Sequence, residues 1–367
     1  MSEPPAGFLM PAEWARHRAT WLVWPHNDDD WPGKFEPIPW VYGEIVRQLC
    51  GRERVVILVE NPGIARRAWN LLRKVGVDKS GVDYHVFPTD RSWIRDTGPL
   101  FVKDRRGLGL AATAWRFNGW AKYDNWERDN QVSSYVASVL GLAIHRPRLN
   151  GRPVVLEGGA IDVDGEGSML ATEECLLSST QQRNPGLERK DYERIVAEYL
   201  GVRTVVWLGR GIAGDDTHGH VDDVCRFVAP GRVVLAVEDD VRDPNYIPLE
   251  ENRERLEVAT DAQGRRLEVI RLPMPEPCCF EGQRLPVSYV NFYVANGVVL
   301  VPTFNSVRDR MALGILAELF PDHQVVGIHA LDLAWGLGTL HCSTLQEPAR
   351  ASDKDLGRQQ PSGAAAK

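Results

Sequence analysis

A repeat constrains this chain more than any other feature. Four segments, residues 98–117, 159–175, 225–240 and 291–304, share one pattern. Each reads as a short alternating strand, a glycine-bearing turn and a second apolar strand, the signature of a β-hairpin. The turn glycines Gly107, Gly167, Gly231 and Gly297 stand 60, 64 and 66 residues apart. Near-constant spacing marks a repeat architecture, and at roughly 65 residues a unit, five units fill about 325 residues. That fits a chain of 367.

Helical stretches lie between the hairpins. Residues 187–201 set Tyr192, Ile195, Val196 and Leu200 on one face and stop at Gly201, a C-cap. Residues 307–320 repeat the pattern and stop at Pro321. Residues 55–60 and 202–209 read as buried strands. The predicted unit is strand, strand, helix, strand, and the predicted fold is α/β, with units set around a centre like the blades of a propeller. An ordinary open α/β sheet is the alternative. No Pro/Gly/Ser-rich linker divides the chain, so residues 1–350 are expected to form one domain. Residues 351–367 are expected to be a disordered tail.

Composition narrows the function classes. Hydrophobic residues at 43% and charged residues at 25% provide a sizeable core and exclude wholesale disorder. No apolar run approaches the roughly 18 residues of a membrane span. The N-terminus has no basic segment followed by an apolar one, so no secretory signal is expected. Six scattered cysteines are no disulfide framework and point to a reducing cytosol, hence a cytoplasmic location. A net charge of −7 argues against nucleic-acid binding and tolerates a cationic substrate.

Polar residues gather in four Gly-rich segments: WIRDTGP (93–99), EGGAID (157–162), GDDTHGHVDD (214–223) and WGLGTLHCSTLQEP (335–348). Loops of this kind beside strands are where active sites usually lie. Cys342 follows His341 in the fourth segment. A lone cysteine is more often a small buried hydrophobe, but Gly336, Gly338, Ser343 and Thr344 do not make an apolar strand. A cytosolic cysteine with a histidine and carboxylates far off in sequence is a candidate nucleophile. Six of the ten residues in the third segment are Asp or His. Read as a strand, it points His220 and Asp222 to one face, with His218 and Asp216 on the same side.

Two chemistries compete for that cluster. His218, His220 and Asp222 resemble the opening of the HxHxDH metal motif of metallo-β-lactamase-like hydrolases. Asp223 stands where the closing histidine belongs, and no other histidine has metal-ligand spacing. In the second chemistry Cys342 supplies the sulfur and His220 moves protons. Asp96, Glu157 and Asp222 would then be poor neighbours for a thiolate, because negative charge raises its pKa. They make sense if the substrate is a planar cation such as a guanidinium, which pairs with carboxylates and favours the thiolate once bound. A non-catalytic binding module is the third reading. The bland readings are an Arg95–Asp96 local ion pair, Glu157 as a turn residue, core packing by Trp14, Trp21, Trp24 and Trp31, and a solvated loop at Asp28–Asp30.

The chain resembles the agmatine deiminase family, also called the bacterial-type peptidylarginine deiminase family. Residues 10–25, 93–99, 157–177, 214–223 and 337–346 match its motifs in order. The resemblance spans residues 8–348. It implies a five-bladed pentein α/β propeller that hydrolyses a guanidino group to a ureido group and ammonia, with no metal and no cofactor. It implies Cys342 as nucleophile, His220 as general acid/base, Glu157 as its orienter, Asp96 and Asp222 as the guanidinium grip and Trp93 as a wall of the slot. Asp216 would lie toward the far end of the substrate and receive a terminal amine. Agmatine, converted to N-carbamoylputrescine in polyamine biosynthesis, is the expected substrate. Peptidyl or free arginine and other alkylguanidines are the alternatives, and a homodimer is expected from the family alone. Family members often carry Asn in place of Thr339 and Gln in place of Leu345, and some agmatine enzymes carry Glu in place of Asp216.

Overall fold

A computed structural model describes residues 7–104, 109–350 and 353. Gly107 and nearly all of the expected tail lie outside the described residues.

The repeat appears as five sheets of related topology. In each of three, an antiparallel hairpin is followed by a helix and a strand parallel to the second hairpin strand. The first of these joins Asp162–Val163 and Ser168–Thr172 to Thr204–Leu208 across helix Arg189–Leu200. The next joins Cys225–Ala229 and Arg232–Val237 to Glu268–Pro273 across helix Tyr246–Val258. The last joins Tyr293–Ala295 and Val298–Thr303 to Gln324–His329 across helix Asp309–Leu319. The fourth sheet joins Leu100–Asp104 and Leu110–Thr113 to Ala143–His145 and gains Phe8–Leu9 on its outer edge. The fifth unit is split across the chain ends. Leu345–Pro348 pairs antiparallel with His17–Val23, which runs parallel to Arg54–Val59, itself parallel to Val82–Val86.

Local sequence explains these elements. Helix Arg189–Leu200 buries Tyr192, Ile195, Val196 and Leu200, and the backbone N–H of Glu188 donates to Asp191 Oδ2 at 3.1 Å at its start. It ends on Gly201 at φ +70°, where a Cβ would come within 2.3 Å of the Phe8 carbonyl oxygen. The parallel strands are apolar on both faces: Val55–Val59, Val233–Val237 and Val298–Val301 are buried. Trp21, Trp24 and Trp31 are buried as expected, and Trp14 packs partly against the core. Among the described residues no helix is long and apolar enough to cross a membrane.

Two local expectations need correction. Residues 218–223 are not a strand: His218 sits at φ +62°, and Val221–Asp223 form a short 3₁₀ turn capped by His220. Period-two reasoning therefore does not govern which of them share a face. Cys175, the last residue of the segment 159–175 read as a strand hairpin, lies in helix Glu173–Leu177, whose start is capped by Thr172 Oγ1 accepting from the Cys175 N–H at 3.1 Å.

Candidate active site

The four polar segments converge at the loop ends of different sheets. The Cys342 turn lies between helix Leu331–Ala334 and strand Leu345–Pro348. The Arg95 N–H donates to the Cys342 carbonyl at 3.2 Å, and Arg95 Nε donates to the His341 carbonyl at 3.3 Å. Asn291 braces the turn from another sheet. Its Oδ1 accepts from Thr339 Oγ1 at 2.6 Å and from the His341 N–H at 3.0 Å, while its Nδ2 lies 3.3 Å from Cys342 Sγ. Leu345 is core rather than site, buried against Ile94 and Trp21 in one apolar cluster.

Gly159 marks where three predicted residues meet. A Cβ there would lie 2.5 Å from His220 Nδ1, 2.9 Å from Asp96 Oδ1 and 3.1 Å from Asp222 Oδ2. Only glycine lets the three side chains approach one another over this backbone. Asp96 Oδ1 accepts from the Gly159 N–H at 2.9 Å, and its Oδ2 accepts from Trp120 Nε1 at 2.9 Å. Asp222 Oδ2 lies 3.7 Å from Cys342 Sγ and 2.7 Å from His341 Nδ1. Trp93 leans on Trp31 at a centroid distance of 5.3 Å. A Cβ on Gly338 would lie 2.8 Å from its ring and 3.1 Å from Cys342 Cβ, so the indole stands beside the thiol.

Behind these residues runs a buried charge network. His341 Nε2 lies 2.8 Å from Glu13 Oε2, and Glu13 also pairs with Arg226 at 2.9 Å and Arg95 at 3.2 Å. Arg226 Nε donates to Asp162 Oδ1 at 2.6 Å. On the other side Arg183 Nε donates to Glu157 Oε1 at 3.0 Å. His220 Nε2 stands 3.9 Å from Glu157 Oε2, too far for a hydrogen bond. Glu157 Oε2, His220 Nε2 and Asp222 Oδ1 are buried without a hydrogen-bond partner.

Electrostatics follow from burial and these neighbours. Burial lifts the Cys342 thiol well above its ordinary range, and Asp222, Asp223 and Asp96 lift it further. Burial opposes charge on His220, but Asp96, Cys175 and Glu157 outweigh it and hold the imidazolium well above its ordinary value. Burial would raise Glu157, yet Arg183 and His220 bring it down to about 2. Burial would raise Asp222 too, yet its bond to His341 and the charges of His341 and His220 hold it below the usual carboxylate range. Asp96 stays above that range because burial outweighs His220.

A cavity of about 350 Å³ opens onto this cluster, lined in part by Cys342, Asp96, Trp93, Trp120 and Asp216. Asp216 therefore shares the cavity with the thiol. Its Oδ2 accepts from Tyr123 Oη at 2.7 Å, and its Oδ1 is paired with Lys122 Nζ. Asp29 and Asp30, read from sequence as a solvated loop, also line the cavity, and Asp30 is buried and paired with Arg91 at 2.6 Å. The sequence did not single out Trp120, Arg183, Asn291 or Glu13. Trp120, Arg183 and Asn291 are each isolated in their own segment, whereas Glu13 lies within the matched stretch 10–25 and His341 stands next to Cys342.

The metal reading of His218, His220 and Asp222 fails on geometry. His218 turns away to Ser178 Oγ at 3.2 Å and toward Glu174, on a separate surface depression. The described residues bring a different trio within ligand reach of one another: Glu157, Cys175 and His220.

A family model for Porphyromonas-type peptidyl-arginine deiminases matches residues 9–348. The chain belongs to this family. Among its curated relatives, an agmatine deiminase of Ectopseudomonas mendocina is 38% identical, over 94% of this chain and 96% of that one. One of Pseudomonas aeruginosa is 36% identical over the same shares. Among solved structures, the agmatine deiminase of Enterococcus faecalis superposes with a TM-score of 0.85 at 31% identity, covering 95% of this chain and 98% of that one. The C. jejuni agmatine deiminase with substrate bound gives 0.82 at 27% identity, over 94% and 97%. These deiminase relatives share both the α/β fold and nearly the full length of the chain.

Proposed function

We propose that this protein hydrolyses agmatine to N-carbamoylputrescine and ammonia through a covalent thiouronium on Cys342. One observation carries the reading: Asp222 Oδ1 and, beside His220, Glu157 Oε2 are buried acceptors with no partner, and Asp222 stands 3.7 Å from a thiol that cannot readily ionise. Buried unpaired acceptors are costly, and a guanidinium brings five N–H donors in one plane. Its charge also offsets the carboxylates that oppose the thiolate. The agmatine deiminases among the relatives support the same choice of substrate.

Asp96 and Asp222 hold the guanidinium with its carbon toward Cys342, Trp93 flanks it, and the thiol proton leaves to solvent as the cation binds. The thiolate adds to the carbon. His220, protonated beforehand, gives its proton to the departing nitrogen, and ammonia leaves. Neutral His220 then takes a proton from water, and the hydroxide adds to the thiouronium carbon. Collapse breaks the C–S bond, returns a proton to sulfur and frees the ureido product. Glu157, fixed by Arg183, keeps negative charge beside His220 through both halves. Asp216 receives the terminal ammonium and repels the carboxylate of arginine, which disfavours free or peptidyl arginine as substrate.

The five sheets are proposed to close as a five-bladed pentein propeller around this site, with residues 1–350 as one catalytic domain. A small guanidino cation is the proposed partner; a homodimer is a proposal that rests on the family, and a cytoplasmic location is one that rests on the scattered cysteines. The test is ammonia release from agmatine, arginine and a peptide ending in arginine, with and without a chelator. Agmatine should turn over fastest and the chelator should change nothing. Cys342→Ala should lose at least about a thousandfold in rate while still binding agmatine by calorimetry. Preference for arginine would overturn the tail assignment, and rates retained in Cys342→Ala would overturn the nucleophile.

A further inference from the structure

We propose that Lys122 competes with the substrate for Asp216 and thereby limits how strongly the enzyme favours a terminal ammonium. The inference rests on the reading that Asp216 receives the substrate tail.

The free protein already supplies Asp216 with a cation. Lys122 Nζ pairs with Oδ1 and Tyr123 Oη donates to Oδ2 at 2.7 Å, so both carboxylate oxygens have partners. The chemistry of the occupant matters: lysine offers a primary ammonium on a four-carbon stem, the same group that agmatine carries opposite its guanidinium. Asp216 is only 16% exposed at its side chain, whereas Lys122 is 41% exposed. Asp216 and Tyr123 line the cavity and Lys122 does not. The lysine therefore reaches the carboxylate from the rim, and a substrate tail reaches it from inside.

The pairing is imposed by the backbone. Gly119, Trp120 and Ala121 stand at φ +63°, +56° and +54°, a left-handed run that is strained at the two non-glycine residues. Tertiary contacts hold the run. Trp120 Nε1 is bonded to Asp96, and Asn118 Oδ1 accepts from the Ala121 N–H at 3.0 Å. Gln181 Nε2 donates to the carbonyls of both Trp120 and Asp216, at 3.3 and 3.0 Å. None of these bonds uses the Lys122 ammonium or the Asp216 carboxylate, so none has to break for the ion pair to open.

Two ammonium groups cannot both pair with one carboxylate without repelling each other. Agmatine must displace Lys122 or share Asp216 against its charge. A guanidine with an uncharged tail meets neither obstacle, because Lys122 leaves no unpaired carboxylate behind. The lysine thus narrows the gap between the two kinds of substrate. Its partial exposure makes the effect moderate and sensitive to salt.

The experiment measures kcat/KM for agmatine and for n-butylguanidine in the parent, Lys122→Met and Lys122→Arg. Methionine keeps much of the stem and removes the charge; arginine keeps the charge. The agmatine-to-butylguanidine ratio should rise about 3- to 10-fold in Lys122→Met, shrink toward the parent value in high salt, and stay near the parent value in Lys122→Arg. Taking a ratio within one protein cancels any partial loss of fold. An unchanged or lower ratio in Lys122→Met overturns the inference while parent turnover of agmatine leaves the proposed function standing. Absence of ammonia release from agmatine by the parent overturns both.

Discussion

His220 is asked to give a proton and then take one, and its surroundings favour the first task. Asp96 and Glu157 stand 3.8 and 3.9 Å from its two ring nitrogens and hold it protonated against the burial that would discharge it. Glutamine at this position has a similar reach and no proton to exchange. In His220→Gln the thiouronium should form slowly and then persist, because no other base is proposed for the water. Intact mass spectrometry after mixing with agmatine should find the protein heavier by the retained amidine group. Recovery of unmodified protein at parent-like turnover would remove His220 from the mechanism. Cys342 illustrates the complementary logic. Its thiol is lifted by burial and by three aspartates, so in the proposed mechanism the substrate's own charge must offset them.

Turns, more than strands or helices, carry the site, and two of them give predictions. Gly159 lies outside the left-handed backbone region, so alanine there folds without backbone strain, yet its methyl group would crowd His220, Asp96 and Asp222. Gly159→Ala should keep its secondary structure by circular dichroism and lose about a hundredfold in kcat, the scale expected when reacting groups shift by about an ångström. A rate within threefold of the parent would show that the three side chains can yield. The second turn is held by Asp129. Its Oδ1 accepts from the Asp90 and Arg91 N–H groups at 2.8 and 3.3 Å, while its Oδ2 is buried without a partner. Burial raises its pKa from 3.8 to about 8. A carboxyl raised on folding stabilises the protein below its unfolded pKa, and that contribution is lost as pH rises through the folded value. Asparagine cannot ionise, so between pH 6 and pH 8 the stability of Asp129→Asn relative to the parent should improve by about 2 kcal/mol. Urea unfolding at the two pH values measures the change, and a pH-independent difference would contradict it. The third polar segment shows the limit of element-level reading. The strand assumed for its residues is a turn, and His218 leaves the cluster as a result.

Across the whole molecule, Glu13 joins parts of the chain that are hundreds of residues apart. It meets Arg95, Arg226 and His341, and its Oε1 accepts from the Val294 N–H at 2.8 Å. Burial would raise its carboxyl, but these cations hold it well below the usual range. Removing one charge from a buried network leaves its partners uncompensated, at a cost of about 3–5 kcal/mol. Glu13→Gln should therefore lower unfolding stability by about that much. It should also reduce turnover, because His341 stands between Glu13 and Asp222 and loses the first of these carboxylates as a partner. Denaturant unfolding and agmatine turnover measure both effects; a stability within 1 kcal/mol of the parent would contradict the role. The closing strand Leu345–Pro348 works at the same scale. Trp21 Nε1 donates to Glu347 Oε2 at 2.9 Å, so the C-terminal strand carries the Cys342 turn into the sheet formed by His17–Val23.

The sequence by itself determined the repeat, the hairpin-and-crossover unit, and which polar residues are proposed for the chemistry. Those features are local: a period of two, a period of 3.6, a glycine at a turn and a cluster of polar side chains are all readable within a few residues. Cys342, His220, Glu157, Asp96, Asp222, Trp93 and Asp216 were all legible that way or through family motifs. Tertiary structure alone decided what surrounds them. Arg183 against Glu157, Trp120 on Asp96, Asn291 beneath the thiol and Lys122 on Asp216 are pairings across 24 to 94 residues. No local periodicity encodes such contacts, because they exist only once separate sheets bring their loop ends together. The charge state of each buried group was decided there as well, since burial and the nearest opposite charge set it, and neither is a property of the segment in which the residue stands.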